Sequence, residues 1–352
     1  MFVIRFFKTD KNYDLNILII GSNYTWSIER IYKRELEALG YEVELLAVQN
    51  QFYDYYYKNL FHKLIYRIGI SGILSKINKG VLSQVSSKHY DLIWVFKGME
   101  LFPDTLRGLK LKTKKLINYN PDNPFIFSGK GSGNSNVTNG ISLYDLHLTY
   151  DDWVKEKIER EYNIQTELLP FGFDEEAISD EELNATDEVK AVCFLGNPDK
   201  YRASIIQKLV DQQIEVHLYG NDWQKFVNHK CAIIHQPVYG QDFYKILRKY
   251  RVQLNIMRAH NLNSHNMRSI EIPGAGGVML APKTADHLSF FELGEEIFVY
   301  ADTENLISEA KRLLNLDKSE VEQIRKRARR KVLKAFTYKV QTQRILSIVN
   351  EA

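Results

Sequence analysis

Arg268 and Glu271 stand three positions apart in the stretch 263–282, NSHNMRSIEIPGAGGVMLAP. That spacing places both side chains on one face of a helix. A carboxylate can accept from both hydroxyls of a ribose, and an arginine can hold a diphosphate through its fork of donors. One helix end could therefore grip a sugar nucleotide; a surface Arg–Glu pair is the plainer alternative. Arg202 is a second cation of this kind. It closes the loop in FLGNPDKYR, between an apolar run and a helix, where the helix dipole favours anions. An arginine on the exposed first turn is its alternative. Gly196, in the same loop, would let a ligand approach the backbone closely. Asp122 lies in NYNPDNPF, between two prolines, ahead of a Gly-, Ser- and Asn-rich run at 128–140 that reads as mobile. A rigid acidic turn before a flap suits an acceptor site, against a plain surface loop. Tyr239 in QPVYGQ could stack on a nucleobase or simply pack. No Asp-x-Asp pair and no metal-ligand spacing is evident, so no metal and no cofactor is expected.

These residues need elements to hold them. In 263–282 Ser264 is placed to cap a short helix, with Met267 and Ile270 on one face and Ile272 nearby. Pro273 breaks the pattern, Gly274, Gly276 and Gly277 follow, and 278–281 reads as a buried parallel strand. Near the start, NILIIG at 16–21 is a buried strand ending in Gly21, and SIERIYKRELEALG is an amphipathic helix closed by Gly40. A strand over 41–48 completes a β-α-β unit, with the loop GSNYTW at the strand's carboxyl end. Ligands bind at such ends in doubly wound sheets, although this loop lacks a dinucleotide glycine fingerprint. Further strands follow over 91–98, 115–119, 144–150 and 166–171. The pattern restarts at VKAVCFLG, 189–196, with strands over 214–220, 231–235, 252–257 and 297–300 alternating with helices. Two alternating series imply two mostly parallel sheets. The expected division is a first domain over 1–172, an acidic linker over 173–188, a second domain over 189–336 and a closing helix over 337–352. His147, near a strand end, could act as a base but reads more readily as structural.

The string MRSIEIPGAGGVMLAP resembles the donor-site segment of GT-B glycosyltransferases. The nearest variant is the CgeB-like (spore maturation protein) family, grouped with glycosyltransferase families 1 and 4. The resemblance covers most of 190–350 and, more loosely, 14–175. It implies two Rossmann-like doubly wound domains facing across a cleft, with the last helix crossing back onto the first. It also implies a nucleoside-diphosphate sugar, UDP-linked, as donor. In that class a Glu at the place of Glu271 binds the ribose. Gly21, Gly196, Arg202, Tyr239, Arg268, Gly276 and Gly277 join it as expected donor-binding positions. Family 4 members often carry a second Glu where this chain has Asn263. More distantly, Arg202, the Arg268–Glu271 pair and Asp122 are similar to a phosphate-loop arginine, an Arg-x-x-Glu helix and a catalytic aspartate of phage β-glucosyltransferases. That likeness implies Asp122 as general base and an inverting transfer. A family 4-like enzyme would retain configuration, with Asp122 only orienting the acceptor. The acceptor implied is a glycan, glycolipid or protein, as in cell-surface polysaccharide synthesis, and the transfer is metal-independent. The rival readings are a UDP-sugar epimerase on the same fold and a non-catalytic glycan- or nucleotide-binding structural protein.

The 352 residues, 44% hydrophobic and 26% charged, suit two soluble domains. A net charge of +3 permits an anionic substrate without pointing to nucleic acid. The two cysteines, Cys193 and Cys231, sit in apolar runs and read as buried thiols of a reducing compartment. With no secretory signal and no long apolar span, a cytoplasmic protein is expected. The segment 59–81 mixes Leu, Ile and Tyr with Lys63, Arg67, Lys76 and Lys79. It reads as amphipathic helix packing on a core, with peripheral membrane contact as the alternative. The basic run RKRARRK at 325–331 reads as the solvated face of a helix.

Overall fold

Strands that are buried on both faces must be apolar along their whole length, and such runs build both sheets here. The computed structural model describes residues 15–126, 133–257 and 264–351. The chain divides into two compact units: everything up to Leu169 together with the stretch from Ile345 on, and Pro170–Arg344.

In the first unit the strands are β1 (Asn16–Ile20), β2 (Glu42–Leu46), β3 (Tyr90–Phe96), β4 (Thr113–Tyr119), β5 (Leu146–Thr149) and β6 (Thr166–Leu168). All pair in parallel, in the order β2-β1-β3-β4-β5-β6. The helices are α1 (Ile28–Ala38), α2 (Val48–Tyr56), α3 (Leu60–Arg67), α4 (Ile73–Val85), α5 (Pro103–Lys110), α6 (Ser135–Gly140) and α7 (Asp152–Tyr162). The core gathers Leu18, Ile20, Ile93 and Val95 of the sheet against Ile77 and Val81 of α4 and Leu106 of α5.

The second unit holds β7 (Val189–Leu195), β8 (Val216–Tyr219), β9 (Ala232–His235), β10 (Tyr250–Leu254), β11 (Met279–Pro282) and β12 (Phe298–Tyr300). They too are all parallel, ordered β12-β11-β10-β7-β8-β9. Its helices are α8 (Asp180–Asn184), α9 (Lys200–Asp211), α10 (Gly240–Lys249), α11 (Met267–Gly274), α12 (Ala285–Phe290), α13 (Thr303–Leu314), α14 (Lys318–Ala335) and α15 (Tyr338–Glu351), whose final residues cluster with the first unit. In each sheet the order reverses once, between β1 and β3 and between β7 and β10. Such reversals open a crevice at the strands' carboxyl ends, where ligands bind in open α/β sheets.

Several expectations change. The acidic stretch 173–188 is not a solvated linker: Phe173, Ile178 and Leu183 are buried, and Ser179 and Glu182 form a capping box on α8. The described end of the flap is ordered as α6, capped by Asn134, while 128–132 lies outside the described residues. The basic run does not face solvent throughout. Arg325 is buried, pairing with Glu188 at 2.9 Å and Glu322 at 2.7 Å, and Arg329 reaches the carbonyl of Gly274 and pairs with Asp180 at 2.6 Å. These arginines turn inward because Glu188 and Asp180, distant in sequence, meet them there. Within 59–81 it is α4 that packs on the core, with Ile73, Ile77 and Val81 buried, while α3 touches that core through Tyr66 and has no buried residue.

Candidate functional site

The second unit's crevice is built around α11. Its N-cap is Asn266 and not Ser264: the Asn266 side chain accepts from Ser269 N at 3.0 Å, and Ser269 Oγ returns the bond to Asn266 N. Ser264 is displaced from capping because its hydroxyl donates to Asp286 at 3.0 Å. Asn255, at the end of β10, exchanges amide bonds with Asn266 at 3.1 and 2.9 Å and donates to Ser269 Oγ at 3.1 Å. His287 completes the network. Its Nδ1–H donates to Pro282 O at 2.8 Å, so Nε2 accepts from Ser269 Oγ at 2.8 Å. Burial, only partly offset by the Pro282 carbonyl, lowers the His287 pKa to about 4 and keeps the ring neutral for this acceptor role. His265 is buried beside it, donating to Asp286 at 2.6 Å while its Nε2 faces Phe171 N at 3.3 Å.

The far end of α11 closes just as firmly. Pro273 does not stop the helix; it sits inside the last turn, where it forgoes the intrahelical bond that an N–H would make to the Ser269 carbonyl. Gly276 N donates to Pro273 O at 3.0 Å and Gly277 N to Ile272 O at 2.8 Å, with Gly276 at φ +70°. This is a Schellman end, and its left-handed position favours glycine. A Cβ on Gly277 would lie 2.5 Å from Leu247 O, so that residue is small because α10 presses against it.

On this fixed helix Arg268 and Glu271 form an ion pair. The pair is not a surface one: Glu271 is 7% exposed, and the Arg268 guanidinium lies 4.2 Å from the centre of the Phe243 ring. Arg202 stands on the first turn of α9, whose N-cap Asp199 accepts from Arg202 N at 2.9 Å. Its guanidinium donates to Asn197 O at 3.0 Å, after β7, and to Ile256 O at 3.2 Å, after β10. Arg202 thus bridges the two loops that flank the sheet reversal and is not a free surface side chain. Gly196 presents its carbonyl to Trp223 Nε1 at 2.8 Å, and a Cβ there would lie 3.1 Å from the Phe194 ring. Tyr239 is 72% exposed at the N-cap of α10. Asn263 falls outside the described residues.

The first unit's crevice has the opposite character. Asp122 lies just beyond β4 in a turn made of two side-chain-to-backbone closures: Asn120 Oδ1 accepts from Asp122 N at 3.0 Å, and Asn123 Oδ1 from Phe125 N at 2.9 Å. Lys97, immediately after β3, pairs with Asp122 at 2.6 Å. Lys97 has φ +59° and Gly98 φ +90°, a tight turn that few side chains adopt. Gly21 ends β1 and makes room for Glu29: a Cβ would lie 2.7 Å from Glu29 Oε1, which instead accepts from Ser22 N at 2.9 Å. Burial raises the Glu29 pKa, against its backbone bonds and Lys97. Glu100 is buried more completely. Desolvation raises its pKa to about 7 in spite of its own backbone N–H and Lys97, with Glu29 adding repulsion, and its Oε2 has no hydrogen-bond partner. His147 is buried, bonds Ile141 O at 2.9 Å and is held near pKa 4 by desolvation, which makes it a structural residue of β5.

Gly21 and Asp122 therefore share one unit, and Gly196, Arg202, Tyr239, Arg268, Glu271, Gly276 and Gly277 the other. Sequence reading passed over Lys97, Glu29 and Glu100, and the Asn255–Asn266–Ser269–His287 network. The spacing Asn266-x-x-Ser269 was the one available signal for the last.

Comparison with known proteins bears on both units. Residues 202–347 match the glycosyl transferase-like family model. Among curated proteins no sequence matches the chain. Among solved structures, a glycosyltransferase from Rickettsia africae ESF-5 is 11% identical with a TM-score of 0.67, over 96% of this chain and 99% of that one. Sucrose-phosphate synthase from Thermosynechococcus elongatus is 12% identical with a TM-score of 0.68, over 96% and 98%. Anabaena Alr3699/HepE, solved in complex with UDP-glucose, is 12% identical with a TM-score of 0.62, over 96% and 100%. Two parallel six-stranded α/β units that match glycosyltransferases over nearly the whole of both chains give this protein the GT-B fold.

Proposed function

We propose that this protein is a glycosyltransferase that moves a sugar from a nucleoside-diphosphate donor, a UDP-sugar, to a hydroxyl of a glycan, glycolipid or protein. The observation that carries the reading is Arg202 spanning the β7 and β10 loops in the same unit as the Arg268–Glu271 pair. Glu271 accepts from the ribose hydroxyls, Arg202 and Arg268 neutralise the diphosphate, and the exposed Tyr239 ring stacks on the base. Gly196 and the α11–β11 turn of Gly276 and Gly277 keep backbone close to the donor.

In the inverting form Asp122 takes the proton of the acceptor hydroxyl. That oxygen attacks the anomeric carbon, and the bond to the diphosphate breaks with its electron pair leaving on the diphosphate. Preorganised cations aimed at the developing charge do most of this work. Lys97 holds the Asp122 carboxylate in place. We assign no resident metal, with the arginines in that role, and a cytoplasmic setting that suits two free cysteines.

Calorimetric titration with UDP, GDP and their sugars tests the donor site. UDP or a UDP-sugar should bind, and binding should survive EDTA; a chain that binds no nucleotide does not support this function. Incubation with a UDP-sugar and no acceptor separates the epimerase reading, since transfer leaves the donor sugar's configuration unchanged in that mixture. Binding without turnover under any acceptor would favour the structural-protein reading.

A further inference from the structure

Helix α3 has the composition of a core helix and the exposure of a surface one. Leu60, Phe61, Leu64 and Ile68 recur at helical spacing on one face, and their exposures run from 56% to 82%. Ile70, in the turn that follows, is 70% exposed, and Tyr57, just before the helix, 61%. The opposite side is where α3 is held: Tyr66 packs edge-on against Phe52 at 5.0 Å and Tyr56 at 5.6 Å, and Asn59 caps the first turn by accepting from His62 N at 3.0 Å. The helix is therefore seated by its less apolar side and turns its most apolar side outward. An apolar face costs free energy in water, and a contiguous one on a single chain marks a contact surface.

Charge selects the partner. Between Asp54 and Asp91 the chain has no acidic residue, while Lys58, Lys63, Arg67, Lys76, Lys79 and Lys88 all fall there. Lys63 and Arg67 flank the apolar face on α3 itself, and Lys76 and Lys79 lie exposed on α4. A short helix with large apolar side chains on one face and cations at its flanks matches the boundary between acyl chains and anionic headgroups. A nucleic acid would use the cations and leave Leu60, Phe61, Leu64 and Ile68 in water. Among the described residues no helix is long and apolar enough to cross a membrane, so such contact would be peripheral.

We propose that α3 is an interfacial anchor that lays its Leu60–Phe61–Leu64–Ile68 face into an anionic lipid leaflet. This goes beyond glycosyl transfer and does not depend on it. Taken together with that reading, it selects a lipid-linked acceptor.

The test is co-sedimentation of the full chain, without nucleotide, with vesicles of phosphatidylcholine alone and of phosphatidylcholine with one-quarter phosphatidylglycerol. The wild type should pellet with the anionic vesicles, at least about tenfold more tightly than with the neutral ones, and high salt should narrow that gap. The triple variant Leu60→Ser, Phe61→Ser, Leu64→Ser should lose the binding while keeping its circular dichroism and melting temperature, because these side chains are exposed. A charge variant, Lys63→Glu with Arg67→Glu, should lose the preference for anionic vesicles. No binding to either vesicle, or binding that the triple variant retains, overturns the proposal. So does a wild type that is dimeric by light scattering and becomes monomeric in the triple variant, since a second copy would then cover the face. Failure here leaves nucleotide titration of the second unit unaffected, so the two readings fail separately.

Discussion

The two sheets are built alike and charged unlike. Each has six parallel strands with one reversal of order, and each puts short loops at the carboxyl ends beside that reversal. At the first reversal stand Glu29 and Glu100, both buried, with Lys97 and Asp122 beyond them. At the second stand Arg202 and, on α11, Arg268 with Glu271. Topology decides where a ligand can sit, and the loop side chains decide its charge. A crevice dominated by carboxylates suits a neutral hydroxyl that must give up a proton; one dominated by arginines suits a leaving diphosphate.

The contrast can be broken most severely at Asp122. Asp122→Asn keeps the turn's backbone bonds and removes the proposed base, so kcat should fall about 10²–10⁴-fold, the usual range for a general base, with donor affinity unchanged. Equal loss in donor affinity would mean that Asp122 acts on the donor, and undiminished turnover would move the base elsewhere. On the other side, Glu271→Ala removes the charge-assisted bonds proposed to the donor's ribose, worth roughly 1.5–3 kcal/mol each, so donor affinity should drop at least about tenfold. A 2′-deoxyribose donor, already lacking one such bond, should lose less between wild type and variant. Equal losses for both donors would make Glu271 a structural residue of α11.

The smallest effect concerns stability. Glu100 titrates near 7 in the folded chain against 4.5 for an ordinary Glu. Between those values the folded chain holds a proton that the unfolded chain has released, so stability falls as pH rises from about 4.5 to about 7, and the loss persists above. Glu100→Gln should therefore raise stability at pH 8 by on the order of 1–3 kcal/mol, and the gain should vanish near pH 4. Urea midpoints at the two pH values measure it; the same gain at both would trace to packing and not to charge.

Most strands were legible, because a parallel strand buried on both faces is an apolar run such as NILII or VKAVCFL. Glycines marked helix ends, as Gly40 does after α1. What failed to show was whatever depended on partners far along the chain. Ser264 looked like a cap until Asp286 took its hydroxyl, and Arg325 looked solvated until Glu188 met it. Periodicity on α3 identified an apolar face but could not say whether core or solvent lay against it. Of the candidate residues, Arg202 and the Arg268–Glu271 pair were readable from loop and helix spacing. Lys97 and Glu100 were not, because an ordinary apolar strand ends in FKGME without any sign of burial or of a left-handed turn.

Under the proposed mechanism, that left-handed lysine sets stability against chemistry at a single codon. A lysine at φ +59° carries a conformational cost of roughly 1–2 kcal/mol that glycine would not. A laboratory selection for heat resistance alone would thus favour Lys97→Gly, and each such gain would strip the cation from Asp122. Diversity at this position in an evolving library should track which pressure is applied: glycine where only folding is screened, lysine where turnover is screened as well.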